Sequence, residues 1–132
     1  MPLPERSSVS NGGPRLLRAG AIDIPARAEG FVWSDNAEFF YRFGVRRNPR
    51  TLAGVTDCEE LLLVAVDGRQ PDHSVGTSFE ESAQLLRALG ARDALNLDGG
   101  GSTAMTIATQ LRTRPSDASG ERPIGDAIVI LP

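Results

Sequence analysis

Lysine is absent from this chain of 132 residues; all 14 of its basic side chains are arginine. A Schiff-base lysine and a lysine-bearing phosphate loop are therefore excluded. Every anion contact falls to guanidinium groups, whose planar fork suits phosphate and carboxylate. A GC-rich genome gives the same bias without any function behind it. Cysteine is represented once, by Cys58, and histidine once, by His73. One cysteine permits no internal disulfide and no cysteine-cluster zinc site, and one histidine permits no histidine-based metal set. His73 lies in the turn-rich run Arg69-Gln70-Pro71-Asp72-His73-Ser74 and reads as an exposed loop residue rather than a catalytic base. Long apolar runs are also missing. None approaches the roughly 18 residues of a membrane span, and Met1-Pro2-Leu3-Pro4-Glu5-Arg6-Ser7-Ser8 lacks the apolar core of a signal peptide. A net charge of −3 gives no support for a general nucleic-acid or membrane-surface role.

What is present suits one soluble-type domain: 40% hydrophobic and 23% charged residues, in a chain long enough for a real core. Pro, Ser and Gly crowd residues 1–13, so residues 1–10 are expected to be a loose leader and 11–132 the domain. Arg15–Ile22 reads as two short strands around a glycine turn. Between Ile24 and Phe43 stand Phe31, Trp33, Phe39, Phe40, Tyr41 and Phe43, six of the seven aromatics. That segment is expected to cover the core, with an aromatic sugar-binding platform as the alternative. Thr51–Thr56 and Glu60–Val66 flank Asp57-Cys58-Glu59 as a hairpin. The unbroken apolar run Leu61–Val66 predicts a strand buried on both faces.

A helix is expected over about 78–89. Thr77 and Glu80 have the spacing of a capping box. Phe79, Ala83, Leu86 and Leu89 line one face, and Gly90 suits the position just past the helix. Ala91–Asp98 and Thr103–Thr109 are expected strands, Arg112–Pro123 a polar loop, and Ile124–Leu131 a final apolar strand. Strand, helix and strand in succession suggest a βαβ-like crossover. The fold class is α+β, a mixed sheet of six or seven strands with one amphipathic helix and polar groups gathered at strand exits.

The stretch around which this arrangement turns is Asn96-Leu97-Asp98-Gly99-Gly100-Gly101-Ser102. On a strand, Asn96 and Asp98 point to one face. The glycines admit φ > 0 and close approach of a ligand. Their N–H groups, with Ser102 and Thr103, could form an anion-binding nest. A plain hairpin turn also explains the glycines, but two polar groups on one face of an apolar strand are costly without partners.

Several stretches, taken in order, resemble the phosphodiester glycosidase family, that of phosphodiester alpha-N-acetylglucosaminidase. They are Gly12-Gly13-Pro14-Arg15-Leu16, Asn48-Pro49-Arg50-Thr51 with Gly54, Val66-Asp67-Gly68-Arg69, Ser74-Val75-Gly76-Thr77, Ala94 through Ser102, and Gly120-Glu121-Arg122. Asn-Leu-Asp-Gly-Gly-Gly-Ser is the most restrictive of them. The resemblance spans about residues 11–131 and corresponds to the C-terminal two-thirds of the family's domain, which usually carries a further strand before the Gly-Gly-Pro motif. It implies hydrolysis of a sugar-1-phosphodiester, releasing the sugar and leaving a phosphomonoester. A phosphate leaving group needs little protonation, so the site must bind the anion, stabilise an oxocarbenium-like centre and activate water. On this reading Asp98 and Asp67 are the catalytic carboxylates. Arg50 and Arg122, with Arg69 behind them, hold the phosphate. Gly99, Gly100, Gly101 and Ser102 hold phosphate or sugar hydroxyls, and Asn96 orients sugar or water.

The alternative is a non-catalytic remnant that binds sugar phosphates or a cell-wall glycopolymer. A serine hydrolase built on Ser102 is disfavoured, because Ser102 follows three glycines instead of sitting in Gly-x-Ser-x-Gly. No cofactor is expected. Asp67, Asp72 and Asp98 could form an oxygen-ligand calcium site, although their spacing matches no metal motif. The expected partner is a small or polymeric sugar-phosphate substrate. A second copy or another chain completing the sheet is a further possibility, since unpaired edges favour association. The family's members are mostly exported; the sequence itself assigns no compartment.

Overall fold

The computed structural model describes residues 8–132; most of the expected leader, residues 1–7, lies outside the described residues. Five strands form the main sheet. They are β1 (Gly12–Arg18), β2 (Ala21–Ile22), β3 (Arg50–Thr56), β4 (Leu61–Val66) and β5 (Ala91–Leu97), in the order β2-β1-β5-β3-β4. Every neighbouring pair is antiparallel. The short helix α1 (Ala37–Phe40) runs into a π-helical turn over Tyr41–Val45, and the longer helix α2 is Phe79–Ala88. Strands β6 (Thr106–Ile107) and β7 (Gln110–Leu111) make a separate small hairpin. The α+β class expected from the sequence is the class observed.

Local chemistry accounts for most of the elements. Ala19 and Gly20 both have positive φ, 50° and 81°, so a two-residue turn joins β1 to β2. Both central residues of such a turn need the left-handed region to match strand twist. The pairing of β1 with β5 shifts register between Arg15 and Leu17. That irregularity lets Leu16 and Leu17, adjacent in sequence, both be fully buried. The β3–β4 hairpin forms as expected, with Thr56 closing on the Glu60 backbone. Because β4 and β5 are each antiparallel to the intervening β3, they run parallel to each other. β4-α2-β5 is thus the expected crossover, split by one strand.

Helix α2 starts one residue later than its sequence suggests. Ser78 is the cap and Glu81 its reciprocal partner, each side chain bonded to the other's backbone N–H. Thr77 is unavailable because its backbone bridges to Asn48 and its hydroxyl pairs with Ser82 at 2.8 Å. Phe79, Ala83 and Leu86 are buried together with Ser82, while Leu89, beyond the last turn, is exposed. Gly90 takes φ +94°, as its position required.

The core is Leu16, Leu17, Leu52, Phe79, Ala83, Leu86, Ala91 and Ala94, between α2 and one face of the sheet. Phe40 and Phe43 pack against it, and Phe43 meets the Phe79 ring edge-on at 5.1 Å. Phe31 and Phe39 stack on Phe43, and Trp33 on Phe39. The aromatic segment is therefore a core cover.

Three expectations for the strands are corrected. β4 is an edge strand with no fully buried residue. Leu62, Val64 and Val66 pack against the core, while Leu61, on the other face, is 56% exposed. The strand expected over Thr103–Thr109 breaks after two paired residues, where Ala108 turns at φ 55°. Ile124–Leu131 forms no strand. It crosses the open face of the sheet, and Ile124, Ile128 and Ile130 line a groove of about 500 Å³ with Leu63 and Ala65. Lying over the face and not beside an edge, it has no ladder to join.

Candidate functional site at the glycine turn

β5 ends at Leu97, and with it ends the rule that alternate residues share a face. Asn96 is 1% exposed, on the same covered side as its cross-strand partner Leu52. Its Nδ2 donates to the Gly13 carbonyl at 2.9 Å and to the Leu97 carbonyl at 2.8 Å. Its Oδ1 is buried without a protein partner. Asp98 is exposed and lines the groove with Ser102. The sequence placed these two side chains together; the structure separates them because the chain leaves the sheet between them.

The glycines then fold into a single 3₁₀ turn, Gly100–Ser102. Gly100 takes φ +60° and donates its N–H to the Pro49 carbonyl at 2.9 Å. The N–H groups of Ser102 and Thr103 turn back to Gly99 and Gly100 at 3.1 Å each. Three of the amides expected to line an anion nest are thus engaged by carbonyls. The open positions of the turn are covered by arginines instead. The Arg69 guanidinium lies against Gly100, where an added Cβ would come within 3.2 Å of Nη2. The Arg122 guanidinium lies on Gly101 so closely that a Cβ there would overlap it. Two consecutive residues without side chains thus seat two cations delivered by different loops.

Each cation is held differently. Arg69, at φ 58° in the loop after β4, donates Nε–H to Asn48 Oδ1 at 3.1 Å. Arg122 is paired with Asp117, at 2.8 Å from Nε and 2.6 Å from Nη2. Among the described residues Arg69 pairs with no carboxylate, whereas Arg122 shares its charge with Asp117.

Arg50, the third arginine of the expected phosphate set, takes another part. It is 1% exposed. It donates to the carbonyls of Thr77 at 2.8 Å, Phe43 at 2.7 Å and Arg46 at 3.2 Å. Its guanidinium sits 4.3 Å from the centre of the Phe79 ring, a favourable cation–π distance. Burial first, and then the charge of nearby Arg69, lower its pKa to about 10. Arg50 stitches the aromatic segment to the start of α2, and its side chain has no route to solvent as placed.

Asp67 is likewise engaged. Its Oδ2 is 2.8 Å from His73 Nε2, and its Oδ1 accepts the Arg114 N–H at 2.8 Å. Gln70 Nε2 donates to the Arg114 carbonyl at 2.9 Å. The loop after β4 therefore grips the C-terminal segment at one residue. The Asp67–His73 pair, Asp117 and the amide of Asn48 had no role in the sequence reading. Asn48, inside the Asn-Pro-Arg-Thr motif, and Asp67, inside Val66-Asp67-Gly68-Arg69, stood in stretches already marked out; His73 and Asp117 did not. Among the described residues no group of three or more His, Cys, Asp or Glu side chains comes together. The suggested trio of Asp67, Asp72 and Asp98 is accordingly not assembled. No helix of the described residues is long and apolar enough to cross a membrane.

Comparison with known proteins follows the same residues. The family model for phosphodiester glycosidase matches residues 3–131. A crystal structure from Burkholderia pseudomallei, of a protein inferred to be exported, is similar at 49% identity and TM-score 0.66 over 68% of this chain. A hypothetical protein from Synechocystis matches at 36% identity and TM-score 0.62 over 79%. The zebrafish N-acetylglucosamine-1-phosphodiester alpha-N-acetylglucosaminidase catalytic domain, auto-inhibited by its pro-peptide, matches at 28% and TM-score 0.68 over 80%. The present chain spans 17%, 18% and 34% of those three chains. No curated protein matches it.

Proposed function

Since the chain belongs to the phosphodiester glycosidase family, we propose that its glycine turn binds and hydrolyses a sugar-1-phosphodiester. The observation that carries this reading is the seating of Arg69 and Arg122 on Gly100 and Gly101, directly after an exposed carboxylate at Asp98. Paired guanidiniums suit the non-bridging oxygens of a phosphodiester. The groove past Asp98 and Ser102 suits the sugar.

In the proposed step the oxygen of a water attacks the anomeric carbon, and the bond from that carbon to the phosphate oxygen breaks. The electron pair leaves on the phosphate, which departs as a phosphomonoester, and the water gives up a proton to become the new anomeric hydroxyl. Arg69 and Arg122 stabilise the charge that grows on the leaving group. Asp98 faces the anomeric side, as base or as electrostatic partner of the oxocarbenium-like centre. Asp67 contributes through the loop that it shapes. The substrate class follows the zebrafish relative's name. An extracytoplasmic place of action fits the Burkholderia relative, which is inferred to be exported.

The test is release of free sugar from UDP-N-acetylglucosamine and from a methyl-phospho sugar by the purified chain. Asp98→Asn should lower turnover at least ~100-fold, the usual scale for removing an acid–base group. Full activity in that variant would remove Asp98 from the mechanism. A second reading, a binding module without turnover, is favoured by the engagement of Asp67, the other expected catalytic carboxylate, with His73 and the Arg114 N–H. Saturable binding of the same diesters by a folded chain that releases no sugar would establish it.

A further inference from the structure

We infer that Asn48 is a positioning residue that acts through Arg69, an assignment that rests on the anion-binding reading of the glycine turn. Asn48 is half-buried just before β3, and its side-chain amide is used at both ends. Nδ2 donates to the carbonyls of Arg42, in the π-helical turn, at 2.9 Å and of Arg46, just past it, at 3.1 Å. Oδ1 accepts from Arg69 Nε. The backbone of Asn48 is fixed as well, by reciprocal bonds with Thr77 at 3.1 and 3.0 Å. The loop that bears Arg69 closes on the same residue: the backbone of Asn48 and Pro49 fills the space that a Cβ on Gly76 or Gly68 would need.

An arginine side chain has several rotatable bonds, and ordering it on a ligand costs entropy unless a partner orders it first. Nε is the donor that can be taken without using the outer edge of the fork. A bond there fixes the plane of the guanidinium and leaves both terminal nitrogens for an anion. A neutral amide oxygen does this without cancelling the charge, whereas Asp117 cancels much of the charge of Arg122. Asn48 thus makes Arg69 the pre-oriented cation of the pair, and the one with no carboxylate partner among the described residues.

The test titrates inorganic phosphate into the whole chain, followed by the amide resonances of Gly100 and Gly101. Four proteins are compared: unmutated, Asn48→Ala, Arg69→Ala and the double variant. Asn48→Ala should weaken phosphate about 10-fold when Arg69 is present, the scale of one hydrogen bond to a charged group. It should change nothing when Arg69 is already alanine. Equal losses in both backgrounds would overturn the assignment, because a merely structural role does not depend on Arg69. Phosphate binding absent from the unmutated chain would instead overturn the anion-site reading on which the assignment rests. If Asn48→Ala fails to fold, the Arg69 Nε–H resonance of the unmutated chain decides, identified by its loss in Arg69→Lys. A shifted resonance protected from solvent exchange is expected; rapid exchange would sink the proposal.

Discussion

The two faces of the sheet treat similar side chains in opposite ways. On the face toward α2, Leu52 and Leu16 are fully buried, as is Leu86 of the helix that covers them. Even the polar residues on that side, Arg50 and Asn96, are bound to backbone carbonyls. On the other face Val55, Leu61 and Leu95 are exposed, and the C-terminal segment lies instead along Leu63 and Ala65. The comparison teaches where a polar residue of this fold can work. A charge inside the covered layer is consumed by the backbone it holds together. A charge carried past the end of a strand, like Asp98 or Arg69, stays available. The candidate site sits at the border, where β4 and β5 run out.

Truncating one leucine in the layer between α2 and the sheet and one on the open face sharpens that contrast most. Leu86→Ala should destabilise the chain by about 3 kcal/mol, the middle of the range for a buried leucine that leaves a cavity. Leu95→Ala should cost below about 0.5 kcal/mol, as surface changes do. Urea denaturation compares them directly, and equal costs would mean that the open face is covered in solution. Next in size is Gly101→Ala. The new Cβ meets only the mobile end of Arg122, so stability should hardly move, while phosphate affinity should fall about 10-fold through the displaced cation. A large loss of stability would make that glycine a structural residue like Asn96.

The smallest effect concerns pH. The Arg47 guanidinium, followed by the Ser78 backbone N–H, holds the Glu81 carboxyl down at about 2 from its ordinary 4.5. A depressed carboxyl stabilises the folded state fully above its unfolded value and loses that contribution as pH falls toward the folded one. Acid should therefore loosen the start of α2 between about pH 4.5 and 2. The effect is modest, because solvent screens an exposed pair. Arg47→Ala should raise the Glu81 carboxyl and move the loosening to higher pH, which a pH titration followed by helix signal would detect.

Local rules made much of this legible in the sequence. The turn at Ala19-Gly20, the β3–β4 hairpin, the apolar face of α2 and Gly90 all depend on residues close in the chain, and all fold as their chemistry requires. The capping box was displaced by one residue because Thr77 answers to Asn48, far away in sequence. Long-range pairing also explains β4: an apolar run records that a strand has neighbours without recording on which side. At the site, the run Asp98–Ser102 announced itself, yet the sequence ranked Arg50 with Arg122 and placed Arg69 behind them. Burial separates these arginines, and burial of a single side chain depends on the whole packing.

The grip of Asp67 and Gln70 on Arg114 has a kinetic side. The segment from Thr103 to Pro123 has little ladder of its own, so it should open more easily than the sheet beneath it. Opening would carry Arg122 away from Gly101 while Arg69 stays in place. Assembly of the two-cation seat is then a local folding equilibrium, separate from the stability of the core. The exchange rate of the Arg114 amide would act as its clock, slow when the segment is docked and fast when it has lifted.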